Sequence, residues 1–175
     1  IYAIFVTHLP ELYEKQKIAI EGIPQIFLAV GFHPILFNEY EFKQSLFYNA
    51  LKSTKFVGEV GLYYSVARTE KSRSKQKRIF EQICKSVNSH ILSIHSRQAE
   101  EDVLDILLKY KVENAIFHWY TGSKELVHEI VEAGYYFSVN PTMLRTNKGK
   151  GILKEVPLNR ILIETDGPFS KFNGN

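Results

Sequence analysis

The 175-residue chain is 45% hydrophobic and 13% aromatic, enough apolar material for one sizeable core and too little for two. Its net charge of +3, with 23% charged residues, describes an ordinary solvated surface that permits an anionic partner without demanding one. No apolar run approaches the roughly 20 residues of a membrane span, and the single cysteine, Cys84, excludes an internal disulfide and fits a reducing, cytoplasmic setting.

The chain opens inside an apolar run, Ile1–Val6, which places the expected N-terminus of the native product upstream. Further apolar runs follow at Ile26–Gly31 and Phe56–Gly61. The basic cluster from Arg68 to Arg78 (with Lys71, Arg73, Lys75 and Lys77) reads as a solvated face leading into a helix. That helix carries Ile79, Phe80, Ile83 and Val87, so Cys84 within it is expected to be a buried structural thiol. After Ile91–His95 comes an amphipathic helix over Ala99–Tyr110, with Val103, Leu104, Leu107 and Leu108 on one face. Ala115–His118 precedes a second such helix, Lys124–Ala133, and Tyr135–Val139 follows it. Asn140–Gly151, with Pro141, Asn147, Gly149 and Gly151, reads as a loop with at most a short helix. The last apolar run is Ile161–Ile163.

These runs are nearly continuous rather than alternating, as expected of strands buried on both faces of a parallel sheet. Strand–helix repetition fits either an open doubly wound sheet or a closed barrel. No G-x-G-x-x-G or Walker sequence follows any run, which weakens the nucleotide-binding open sheet. Chemically capable residues recur at strand ends: His33, Glu59, His95, His118 and Asp166. A barrel gathers such ends into one site at its top face. The expected fold is therefore α/β, a TIM (β/α)8 barrel of the metal-dependent hydrolase type. A full barrel takes roughly 250 residues, so residues 1–175 are read as a single partial barrel domain holding the second to eighth strands.

Glu59 lies in an apolar strand, where a carboxylate must be paired or metal-bound. With His95, His118 and Asp166 it makes two carboxylates and two imidazoles at strand ends, a set that suits a divalent ion able to activate water. His8, His90 and His128 read as satisfied polar residues.

The strings around these positions carry a resemblance. Gly31-Phe-His33-Pro34, Gly58-Glu59-Val-Gly61-Leu, Ile94-His95-Ser-Arg97-x-Ala99, Phe117-His118-Trp-Tyr-Thr-Gly122, Gly134-Tyr-Tyr-Phe-Ser-Val-Asn140-Pro141 and Leu162-Ile-Glu164-Thr165-Asp166-Gly-Pro168 resemble, in order, the motifs of TatD-related deoxyribonucleases. The resemblance implies a barrel phosphodiesterase, a 3′-to-5′ exonuclease on DNA, using two divalent ions (Mg²⁺ or Mn²⁺, with Zn²⁺ an option). It implies that Glu59 bridges two metals, that His95 and His118 hold the second, and that Asp166 binds the first and orients water. His33 and Arg97 would hold the substrate phosphate. Trp119 and Tyr120 are expected to pack their loop rather than stack on a base. His-Trp-Tyr-Thr-Gly and Thr-Asp-Gly-Pro-Phe resemble the branch associated with Qat anti-phage defence, which implies defence-system protein partners.

Three departures bear on activity. The family's opening strand carries H-x-H, which occurs nowhere here, so the chain is expected to be a fragment lacking the first strand. The covering element after the eighth strand is expected to be missing too. Tyr63 stands where the family has an aspartate, and a phenol at neutral pH cannot replace a carboxylate. Two other readings remain open. One is a sister metal hydrolase of amides, lactones or phosphotriesters. The other is a catalytically impaired barrel serving as a binding subunit of a phage-defence complex.

Overall fold

The computed structural model describes residues 2–167; Ile1 of the first apolar run, Pro168 and Phe169 of the last motif, and Asn175 lie outside them. The apolar runs form seven strands: β1 (Ala3–Val6), β2 (Ile26–Ala29), β3 (Phe56–Gly61), β4 (Ile91–His95), β5 (Asn114–His118), β6 (Tyr136–Val139) and β7 (Ile161–Ile163). The helices between them are α1 (Tyr13–Ala19), α2 (Gln44–Leu51), α3 (Glu70–Ser86), α4 (Glu100–Lys109), α5 (Lys124–Glu132) and α6 (Asn147–Glu155). Every strand pairing is parallel, in the ladders β1–β2 and β3–β4–β5–β6–β7. The parallel bridge between Val30 and Val57 connects the two ladders. Spatial order therefore follows chain order, the arrangement of a (β/α)8 barrel wall, and all strands end on one face. Among the described residues no ladder joins β7 to β1, and Phe5 and Ile163 on these strands are exposed.

Local chemistry sets the helix starts. Thr69 and Ser72 form a capping box on α3, while Ser123 and Thr146 cap α5 and α6 by accepting from Leu126 N and Gly149 N. The basic cluster is partly spent on packing. Lys75 donates to Phe37 O at 2.7 Å, Lys77 meets Asp102 at 2.7 Å, and Arg73 lies over the Tyr64 ring at 4.7 Å. Cys84 is buried, and burial pushes its thiol pKa well up, in keeping with a structural role. No helix among the described residues is long and apolar enough to cross a membrane.

The segment 140–151 is a loop followed by a helix, as expected, but the helix is longer than a short one. It holds a 3-10 turn at Met143–Arg145 and then α6, which runs on to Glu155. Its glycines mark close packing rather than a loop: a Cβ on Gly149 would stand 2.2 Å from the Met143 carbonyl oxygen.

The core lies between sheet and helices. Phe117 sits at its centre, fully buried, with ring contacts to Tyr120, Tyr135 and Phe137 at centroid distances of 6.0 to 6.3 Å. Phe117→Ala is expected to destabilise the protein by about 3–5 kcal/mol, read as a lower urea midpoint with an unchanged slope.

Candidate metal centre

Glu59 is turned inward by the irregularity of its own strand. The β3–β4 register pairs Val57 with Leu92 but Val60 with Ile94, so β3 carries one extra residue there. Glycine makes the close approach feasible. A Cβ on Gly61 (φ +133°) would meet His95 O at 2.1 Å, and one on Gly31 would meet Thr7 O at 2.2 Å and Gly58 O at 2.3 Å. Gln76 of α3, also buried, ties down the rim by accepting from Tyr63 N (2.8 Å) and donating to Pro34 O (2.9 Å).

The Glu59 carboxylate, in a residue only 6% exposed, faces three imidazoles. His95 Nδ1 lies 2.6 Å from its Oε1, His33 Nε2 lies 3.5 Å from its Oε2, and His118 Nε2 lies 3.9 Å from its Oε1. His33 is oriented by Ile35 N, which donates to its Nδ1 at 3.1 Å. His118 belongs equally to a second carboxylate group, with Nε2 3.1 Å from Asp166 Oδ1 and Nδ1 2.5 Å from Glu164 Oε2. Glu164 in turn accepts from the Ser138 hydroxyl and from Asn140 Nδ2 at 2.9 Å. Asp166 is held at φ +48°, a left-handed conformation uncommon outside glycine.

Burial alone would raise the Glu59 carboxyl pKa, but His33 and His95, with the charge of His118, hold it well below the usual carboxylate range. Burial opposes a charged His118, yet Asp166 and Glu164 lift its pKa to about 10. Burial wins at His95, whose pKa is lowered despite Glu59.

These residues fit a divalent cation. Ligand atoms of His33, Glu59 and His95 all lie within 4.8 Å of one another, and His95 Nε2 is buried with no hydrogen-bond partner. Mixed carboxylate oxygen and imidazole nitrogen suits Mg²⁺, Mn²⁺ or Zn²⁺.

Glu59, His95, His118 and Asp166, named from the sequence, converge, and His33, expected at the substrate phosphate, lies beside Glu59 and His95. Arg97 stands apart, over the Tyr63 ring at 6.0 Å, and that ring lies 4.7 Å from the His95 ring. Tyr120 is buried and donates to Ser123 O at 2.8 Å, the loop packing expected of it. Glu164, Ser138 and Asn140 were not singled out. Glu164 could have been, because it directly follows an apolar run, and Ser138 and Asn140 are marked only by the motif string that contains them. His8, read as an ordinary polar residue, lies edge-on to His33 at 5.4 Å, with its carbonyl accepting from His33 N at 2.9 Å.

Comparison with known proteins points one way. Residues 2–174 match the family model described as TatD related DNase. The chain is 35% identical over 160 residues to the uncharacterized metal-dependent hydrolase YabD of Bacillus subtilis, covering 86% of this chain and 62% of that protein. It is 32% identical over 117 residues to deoxyribonuclease TATDN3 of Homo sapiens, covering 64% of this chain and 42% of that protein. The chain thus spans less than two thirds of either relative. The crystal structure of YJJV, a TatD homolog from Escherichia coli, superposes with a TM-score of 0.85 at 21% identity, over 99% of this chain and 70% of that one, which establishes the fold.

The linked protonations give a pH signature. His118 binds its proton more tightly folded than unfolded, so its stabilisation is complete below its ordinary pKa of 6.5 and is lost as pH rises through about 10. Glu59, with its lowered pKa, stabilises above its ordinary 4.5 and loses that contribution as pH falls. In EDTA, the urea midpoint should decline between about pH 7 and 10, and Glu164→Gln should lower the neutral midpoint while flattening that decline. A midpoint that rises through this window would contradict the assignment.

Proposed function

The chain belongs to the TatD-related DNase family, and we propose that it acts as a metal-dependent deoxyribonuclease that hydrolyses phosphodiester bonds, removing nucleotides from the 3′ end. The observation that carries this reading is the buried Glu59 carboxylate shared by His33, His95 and His118 where the strands end. Two relatives add direction: the human one is named a deoxyribonuclease and the Bacillus one a metal-dependent hydrolase.

Glu59, His95, His118 and Asp166 would hold two divalent ions, Mg²⁺ or Mn²⁺ with Zn²⁺ an alternative, and His33 is close enough to Glu59 and His95 to help hold one of them. When bound, such ions make phosphorus more electrophilic and water more acidic. The chain's own groups do the rest. Asp166 stands beside His118 and accepts the proton of the attacking water. Glu164 fixes the His118 ring, itself held by Ser138 and Asn140, and so keeps that geometry rigid. Arg97, on the rim beyond Tyr63, offers a planar donor to the substrate phosphate.

A second reading is a barrel that binds DNA within a defence complex, alongside protein partners, without cutting it. Tyr63 favours it, because its ring packs against His95 where the family motif has a carboxylate. One experiment separates the two. Purified protein with Mn²⁺ is expected to release mononucleotides from 3′ ends of DNA, and Asp166→Asn should slow this by about 10²–10⁴-fold. Mn²⁺ should also raise the melting temperature of the unaltered chain and not that of Glu59→Gln. Stabilisation by Mn²⁺ with no DNA degraded would replace the nuclease with the binding subunit.

A further inference from the structure

An open groove of about 740 Å³ begins at Arg97, two residues past His95. The turns after β4 and β5 and the first turns of α5 and α6 wall it, contributing Arg97, Thr121, Lys124, Lys148 and Gly151. We propose that this groove is a second phosphate site, which seats the backbone phosphate of the nucleotide next to the one being cleaved. The proposal rests on the nuclease reading for the identity of its ligand.

Three cations line it, against Glu100 on the wall and Glu155 beside Lys124. Arg97 and Lys148 make no ion pair among the described residues, and Arg97 is held only by the face of Tyr63. Lys124 lies against Gly151: a Cβ at that glycine would stand 3.1 Å from Lys124 Cε and 3.4 Å from its Nζ, so the glycine leaves the ammonium its place. Its partner Glu155, 3.3 Å away, forms a half-exposed pair of the kind that contributes little. The single acid on the wall, Glu100, has Oε1 taken by the Thr121 hydroxyl at 3.2 Å. Lys124 and Lys148 also stand in the first turns of nine-residue helices, whose positive ends add to the same field.

The route from one site to the other is short. The Tyr63 ring touches His95 on the metal side and lies under Arg97 on the groove side. A strand with its scissile phosphate at the metal centre would pass this ring, with Arg97 over it, and bring the next phosphate to Lys124 and Lys148. Here the tyrosine acts as the floor between two phosphate positions, a task an aspartate at that place would oppose by repulsion.

The test is equilibrium binding of a short fluorescein-labelled single-stranded oligodeoxynucleotide to the full chain, followed by anisotropy in EDTA across a salt series. Lys148→Ala and Lys124→Ala should each weaken binding several-fold and reduce the slope of log K against log salt by about 0.7, the value for one phosphate contact on a single strand. Lys148→Arg should restore the slope. Lys71→Ala, which removes the same charge from the exposed face of α3, should leave it unchanged. The groove is overturned if the lysine variants keep the full slope, if Lys71→Ala lowers it equally, or if the unaltered chain binds no oligonucleotide. A chain that cuts DNA while Lys148→Ala keeps the full slope loses the groove alone. A chain that shows the predicted slopes and cuts nothing keeps the groove and loses the nuclease.

Discussion

A carboxylate in the interior must find compensation, and the buried Glu59 sets the terms for everything around it. Three imidazoles, His33 after β2, His95 at the end of β4 and His118 at the end of β5, converge on it, and a second carboxylate pair, Glu164 and Asp166, secures the third imidazole from the far side. Such an arrangement needs strands that end together on one face, which the parallel sequential order supplies. It also needs β3 to depart from regular pairing, which the extra residue between Val57 and Val60 supplies. The glycines at 31, 58 and 61 then follow as the residues that let backbones and side chains approach closely enough.

The network has two halves with different electrostatics. Around Glu59 and His95, burial and hydrogen bonding leave a charged carboxylate beside an imidazole that resists protonation. Around His118, two further carboxylates favour the imidazolium. With only protons to balance the charge, His118 carries it; a divalent ion would take over that role and free the imidazole nitrogen for coordination. Metal affinity is then coupled to the release of that proton.

The sequence exposes some of this directly. Glu59 was legible because a carboxylate in Phe-Val-Gly-Glu-Val-Gly has few physical explanations, and His95 and His118 because each closes an apolar run. The parallel fold was legible from continuous rather than alternating runs. The support of His118 was not, since Ser138, Asn140 and Glu164 come from β6 and the end of β7, and only their pairing brings them to one imidazole. The length of helix α6 was masked by Gly149 and Gly151, which read as loop residues until the close approach of Met143 and Lys124 explains them. The overall charge of +3 likewise concealed the grouping of Arg97, Lys124 and Lys148 along one groove.

The central claim is that Glu59 and His95 anchor a divalent ion, and anomalous diffraction at the manganese edge from crystals soaked in Mn²⁺ tests it most directly. The account predicts an anomalous peak at bonding distance from the Glu59 carboxylate and a His95 ring nitrogen, with any second peak near His118 and Asp166. A well-ordered map with no peak at Glu59, or with manganese bound only elsewhere, would contradict it.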